Sequence, residues 1–212
     1  MRVPTERQTL RREGILTAAR TLIVERGYDG VTMRDLAAQS GVTPKTLYHQ
    51  FGSKEKLLRA AVEERFRLIY EKIDAAQFEH GIDRLFFIVD SVAESTRQNR
   101  AYAKALTPIL SDPRTDTYTA IRMNSYRQAT LQIEQEGGFL DWVNVGLIAS
   151  VIYRQVNPIY LASWYAKVPK GAMVEVVKLD ISLVLASVTR GYTKSRALES
   201  VRALQSIRDS YL

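Results

Sequence analysis

The chain has 212 residues, 46% hydrophobic and 25% charged, which suits one sizeable core or two smaller ones. It has no cysteine and two histidines, which excludes disulfides and thiolate chemistry and argues against a transition-metal site. The net charge of +7 is uneven: residues 1–60 hold 11 Lys and Arg against 6 Asp and Glu, residues 61–212 hold 19 against 17. A basic excess gathered at one end is the footprint of a polyanion binder, though mildly basic proteins are common. No run of 18 apolar residues exists and the first residues are charged, so the expectation is a cytoplasmic protein with no membrane span and no secretory signal.

The first 14 residues hold Arg2, Arg7, Arg11 and Arg12 and read either as an arm along a DNA backbone or as a solvated tail. Ile15, Ala19, Leu22 and Ile23 then form a helical stripe that ends at Gly27. Thr32 and Asp35, three apart, are spaced as a capping box for a short helix that buries Leu36 and Ala37 and stops at Ser40-Gly41. Only Val42 separates this stop from Thr43-Pro44, a cap followed by a proline suited to the first helical position. So short a turn, with glycine in it, predicts a helix-turn-helix.

The second of these helices, Pro44 to about Gln50, is anchored by Leu47 and Phe51, four apart. Lys45, Thr46, Tyr48 and His49 are left to point away, and they are the kinds of side chain that meet phosphates and base edges. The helix carries no Asp or Glu, which suits an N-terminus facing an anion. Lys54 opens the next helix, where a cation opposes the dipole, and this too suggests an anionic partner. Helix-turn-helix geometry also serves as plain packing, so a helical ligand- or partner-binding protein is the alternative reading.

Beyond Ser53 the pattern stays helical. A long helix buries Leu57, Leu58, Ala61, Val62, Leu68, Ile69 and Ile73; others follow around 82–96 and 102–110, with a break at 111–113, then a polar helix to Gly137-Gly138. Residues 141–167 read as an apolar helix broken or kinked at Pro158, and 173–190 as a second. Helices apolar over most of their circumference need burial on two sides, which predicts an isologous dimer through this pair, a deep monomer core being the other option. A turn at 169–171 precedes the second of them, and a last amphipathic helix carries Leu198, Val201, Leu204 and Ile207.

The larger part of the chain is rich in aromatics, as a bundle enclosing a ligand would be, and as an ordinary helical core would be. Arg154, Gln155 and Asn157 interrupt an apolar run, so Arg154 needs a partner: an effector anion, a carboxylate across a dimer, or Glu134 or Glu136. Asn157 instead suits the carbonyl that Pro158 frees. Tyr102, Tyr126, Tyr153, Arg154 and Asn157 are the candidate effector-binding residues. No phosphate loop, nucleophile elbow or zinc-protease motif is present, so no catalytic residue, cofactor or metal is expected and the chain is not read as an enzyme.

The segments I-L-T-A-A-R-T-L-I-V-E-R-G-Y-D-G at 15–30, V-T-M-R-D-L-A at 31–37 and S-G-V-T-P-K-T-L-Y-H-Q-F-G-S-K-E-K-L at 40–57 resemble the DNA-binding domain of the TetR family of bacterial transcription regulators. The resemblance covers about a quarter of the chain; the rest is similar only in length and helical pattern. It implies an all-α fold, with a helix-turn-helix domain at 1–53 and a helical effector-binding and dimerisation domain at 54–212. It places Thr43, Pro44, Lys45, Thr46, Tyr48 and His49 on a recognition helix, Lys54 at a phosphate-clamping helix start, and Thr32 and Arg34 beside the DNA backbone. Gln50 departs from the histidine many members carry before the phenylalanine, which leaves that one contact open. The function implied is a homodimeric regulator, a repressor released from a palindromic double-stranded DNA operator by a small-molecule effector.

Overall fold

The computed structural model describes residues 5–110, 116–165 and 172–204, without the side chains of 107–110, 116–119 and 157–165. The fold is all-α; among the described residues the sole extended pairing is an isolated bridge between Phe139 and Thr189. Two compact units divide the chain: residues 1–68 with 99–118, and 69–98 with 119–212. The predicted break at 111–113, the turn at 169–171, Lys167, Ile207 and Arg2 lie outside the described residues.

The first unit contains α1 (Glu6–Gly30), α2 (Met33–Ser40), α3 (Pro44–Phe51), the start of α4 (Lys54–Ala75) and α6 (Arg100–Leu110). α1 begins well before the expected stripe. Thr5 and Gln8 form a reciprocal capping box, the Thr5 N–H donating to Gln8 Oε1 at 2.8 Å, so Arg7, Arg11 and Arg12 lie on a helix and not on a tail. That Thr-x-x-Gln spacing was in the sequence and is the signal that would have moved the boundary. Gly27, at φ 71° and ψ 168°, interrupts α1 where the stripe ends. Ile15, Leu16, Ala19, Leu22 and Ile23 of α1 pack with Leu36 and Ala37 of α2, Leu47 of α3, Leu57, Leu58, Ala61 and Val62 of α4, and Tyr102 and Leu106 of α6. Each fully buried Leu or Ile contributes roughly 1.5–3 kcal/mol, so this core holds the short α2 and α3, which would be marginal alone.

In the second unit α9 (Met173–Val188) packs against α5 (Gly81–Gln98), α8 (Val145–Tyr165) and α10 (Gly191–Leu204). Its buried Val177, Ile181 and Leu185 recur every four residues, the repeat of a helix face turned to neighbours. α7 (Asp116–Gln135) closes on the start of α5: the Gly81 N–H donates to Glu136 Oε1 at 2.8 Å and Gln132 Nε2 to the Phe78 carbonyl at 2.9 Å.

Two boundaries and one burial differ from expectation, Leu68 of α4 being 45% exposed. The helix predicted from Asp141 starts at Val145, because Leu140 and Gly138 are engaged elsewhere: the Leu140 N–H donates to the Val188 carbonyl at 3.1 Å, and the Arg190 N–H to the Gly138 carbonyl at 2.7 Å. Asn144 then caps α8, its side chain accepting the Leu147 N–H at 2.9 Å. Pro158 does not break α8, which runs through it to Tyr165. A proline removes one internal donor, and the rest of a long helix carries the segment.

Candidate nucleic-acid interface

α2 and α3 are set by local chemistry. The Thr32 hydroxyl accepts the Asp35 N–H at 3.2 Å while Asp35 Oδ2 accepts the Thr32 N–H at 3.1 Å. Arg26 of α1 adds an ion pair to Asp35 at 2.6 Å, tying α2 to α1. The Thr32 hydrogen bond first, and then Arg26, hold the Asp35 carboxyl below its ordinary value. Gly41, at φ 65° and ψ 28°, takes the left-handed conformation that ends α2 and lets the Val42 N–H reach back to the Ala37 carbonyl at 3.1 Å.

α3 starts on Thr43, whose hydroxyl accepts the Thr46 N–H at 3.2 Å, with Pro44 at the first position. Leu47 and Phe51 are buried, and this seats the helix with its other face outward. Thr43, Pro44, Lys45, His49 and Gln50 are exposed, as are Thr32 and Arg34 of the preceding cap and helix. Tyr48 is 54% exposed, a large ring kept in solvent, while Thr46 is half-buried and shares a 3.0 Å hydroxyl contact with Thr43. The face thus carries cations, hydroxyls and rings with no acid along α3.

Lys54 is half-buried, and its Nζ donates to the Asp29 carbonyl at 3.3 Å. That carbonyl is in the last turn of α1, where a cation is favoured, so Lys54 has an intramolecular reason to be there besides any phosphate. The negative complement at the start of α4 comes from Glu55, held below its ordinary value by a backbone N–H and then by the Ser53 hydroxyl. One basic residue escaped the sequence reading, and another, Arg12, is placed on α1 where an arm or a solvated tail was expected. Lys56 is exposed beside the α3–α4 turn, with its Nζ 3.9 Å from where a Cβ on Gly52 would stand. Arg12 is exposed on α1 with its guanidinium 4.9 Å from the Phe51 ring centre, so it packs on the base of α3. Only the fold reveals that pairing, because 39 positions separate the two in sequence.

The effector candidates separate. Tyr102 is buried in the first unit's core, whereas Tyr126 and Tyr153 meet edge to face in the second, ring centres 6.1 Å apart. Arg154, expected to need a partner inside an apolar run, is exposed, and its Nε donates to the Ser150 carbonyl of its own helix at 3.3 Å. Asn157 lies on α8, but its side chain is outside the described residues. Among the described residues no group of His, Asp and Glu is placed to hold a metal ion, and no helix is long and apolar enough to cross a membrane.

Two short helices across a glycine turn, the second anchored by two residues and otherwise turned outward, define a helix-turn-helix protein. Residues 15–61 match the profile of bacterial regulatory proteins of the tetR family. The chain is 34% identical over 105 residues to the HTH-type transcriptional repressor KstR of Mycolicibacterium smegmatis, a match spanning 49% of this chain and about half (52%) of that protein. It is 25% identical over 192 residues to KstR2, an HTH-type transcriptional repressor of Mycobacterium tuberculosis, covering 85% of this chain and 94% of that one. A TetR-family regulator of Mesorhizobium loti has the same fold, with a TM-score of 0.66 at 16% identity, over 88% of this chain and all of that one. The N-terminal region of the chain, residues 15–61, is thus a helix-turn-helix domain of the type found in the tetR family of bacterial regulatory proteins.

Proposed function

We propose that the protein is a homodimeric, sequence-specific repressor that binds a palindromic double-stranded DNA operator in the cytoplasm and is released by a small-molecule effector. The observation that carries this reading is the outward, acid-free face of α3, held on buried Leu47 and Phe51 within the region matching the family. Lys45, Tyr48 and His49 read base edges and phosphates from the major groove, with Thr43, Pro44 and Thr46 at the start of the helix. Thr32, Arg34 and Lys54, with Lys56 added from the fold, contact the backbone. Residues 1–53 serve as the DNA-binding domain and 54–212 as the effector and dimerisation domain. Dimerisation through α8 and α9 is supported by Leu147 and Leu183, 56% and 52% exposed on helices whose other faces are packed. Two copies related by a dyad then present two α3 helices to a dyad-symmetric site.

The test is selection of bound duplexes from a random pool, then titration of the enriched site at two salt concentrations. A palindrome bound by one dimer supports the reading. Lys45→Ala weakens binding, and if Lys45 touches only phosphate the salt slope falls by roughly one. Wild-type binding by both Lys45→Ala and Tyr48→Ala would show the recognition helix to be misassigned. No enrichment, with binding lost at moderate salt, would favour a helical ligand- or partner-binding protein instead.

A further inference from the structure

The first turns of α1 do not pack. Every residue from Thr5 to Gly14 is exposed, and the buried stripe begins only at Ile15. This stretch is held as helix by the Thr5–Gln8 box at its start and by continuity with the packed part of α1. It adds nothing to the core, and it lies ahead of residues 15–61, the region that matches the family profile.

Its charges are sorted by face. Arg7 and Arg11 stand eight and four residues before buried Ile15, and Arg12 stands four before buried Leu16. The three arginines therefore continue the face that packs on the core further along. Glu6 and Glu13 are two turns apart, on a line that runs on through exposed Thr17 and Val24, so the acids occupy the outer face. No acid stands three or four residues from any of the three arginines, the separations at which side chains on a helix meet. Among the described residues the Arg7 and Arg11 side chains have no ion pair or hydrogen bond. Glu64 of α4 is close enough to feel Arg12, but Arg67 acts on it first and binds it at 2.6 Å.

The position of Arg12 shows where this basic face leads. Its guanidinium lies 4.9 Å from the Phe51 ring centre, at the last residue of α3. From Arg12 to Glu6 the helix runs on for about 9 Å, carrying Arg11 and Arg7 beyond that end of α3. Exposed Lys56 stands beside the same end. The basic face is thus continuous with the outward, acid-free face of α3. A polyanion seated on α3 is the partner within reach, and a DNA duplex carries a phosphate about every 1.7 Å of its axis.

We propose that the first turns of α1 are a second DNA-contacting element, in which Arg7 and Arg11 bind backbone phosphates beside those met around α3. Arg12, packed on Phe51, fixes the element to the base of α3. The contact adds affinity and holds orientation, and it carries no base preference. It rests on the reading of α3 as the DNA-facing helix.

The experiment is anisotropy titration of the full chain against one duplex of arbitrary sequence across a series of salt concentrations, so it does not depend on a specific operator. Arg7→Gln combined with Arg11→Gln keeps good helix formers at both positions. It is expected to weaken binding and to lower the slope of log K against log salt by up to roughly two per bound chain, each phosphate contact contributing about 0.9. Arg7→Lys with Arg11→Lys keeps both charges and is expected to restore most of the slope. Lys194→Gln with Arg202→Gln removes the same charge from exposed positions of α10 and is expected to leave the slope as it was. A slope unchanged in the Arg7 and Arg11 glutamine variant overturns the proposal. So does an equal fall in the α10 variant, which would make the effect one of net charge. Selection from a random pool is read separately: a lowered slope with no enriched sequence keeps this contact and overturns the operator reading. Failure of the wild-type chain to bind any duplex overturns both.

Discussion

Gly81 opens α5 directly against α7. A Cβ there would stand 2.5 Å from the Ala129 carbonyl oxygen, 2.6 Å from Ile133 Cγ1 and 2.8 Å from the Ile133 nitrogen. Two of these three neighbours are backbone, so no side-chain rotation relieves the clash and α5 must move off α7. That movement also stretches the 2.8 Å bond from the Gly81 N–H to Glu136. Overpacking of this kind costs ~1–3 kcal/mol, and the helix propensity gained on replacing glycine returns at most ~1 kcal/mol. Gly81→Ala is therefore expected to destabilise by about 1–2 kcal/mol, lowering the melting temperature by roughly 2–8 °C in a chain of this size. Gly14 is the control: it lies in α1 with nothing within 4 Å of its ideal Cβ, so Gly14→Ala meets no clash. It is expected to stabilise by about 0.5–1 kcal/mol. Thermal and urea unfolding at one fixed protein concentration, without ligand, compare the two, since the stability of any oligomer depends on concentration. A Gly81→Ala protein as stable as wild type would refute the close α5–α7 approach.

Asp35 is held below its ordinary value of 3.8 by Thr32 and then by Arg26. A depressed carboxyl contributes stability that is complete above its unfolded value and is lost as pH falls through the lower folded one. Asp35→Asn should therefore flatten that part of the acid limb below about pH 4, read by unfolding between pH 5 and 2; an unchanged acid limb would show that the cap carries no linkage. Tyr102 carries a buried hydroxyl without a partner among the described residues. Tyr102→Phe should match wild-type stability or exceed it by up to ~1 kcal/mol, and a clear loss in urea unfolding would mean that the hydroxyl is satisfied.

Local signals made the helix-turn-helix legible. Thr32 with Asp35, Gly41, and Thr43 with Pro44 act over three or four residues, and each does in the structure what its spacing predicted. Burial of Leu47 and Phe51 followed from their separation by one helical turn. The sequence by itself thus determined two capped helices, their turn and the outward face of α3, since those depend on backbone conformation and helix periodicity. Which distant residues meet was decided by tertiary packing alone. Tyr102 went to one unit's core and Tyr126 and Tyr153 to the other, Arg154 found its own helix backbone, and Lys54 found the end of α1. The start of α8 at Val145 was likewise set by hydrogen bonds to residues near 190. An aromatic or a charge in an apolar helix has the same local signature whether it faces a core, a ligand or solvent, and only the packing of the other helices distinguishes them.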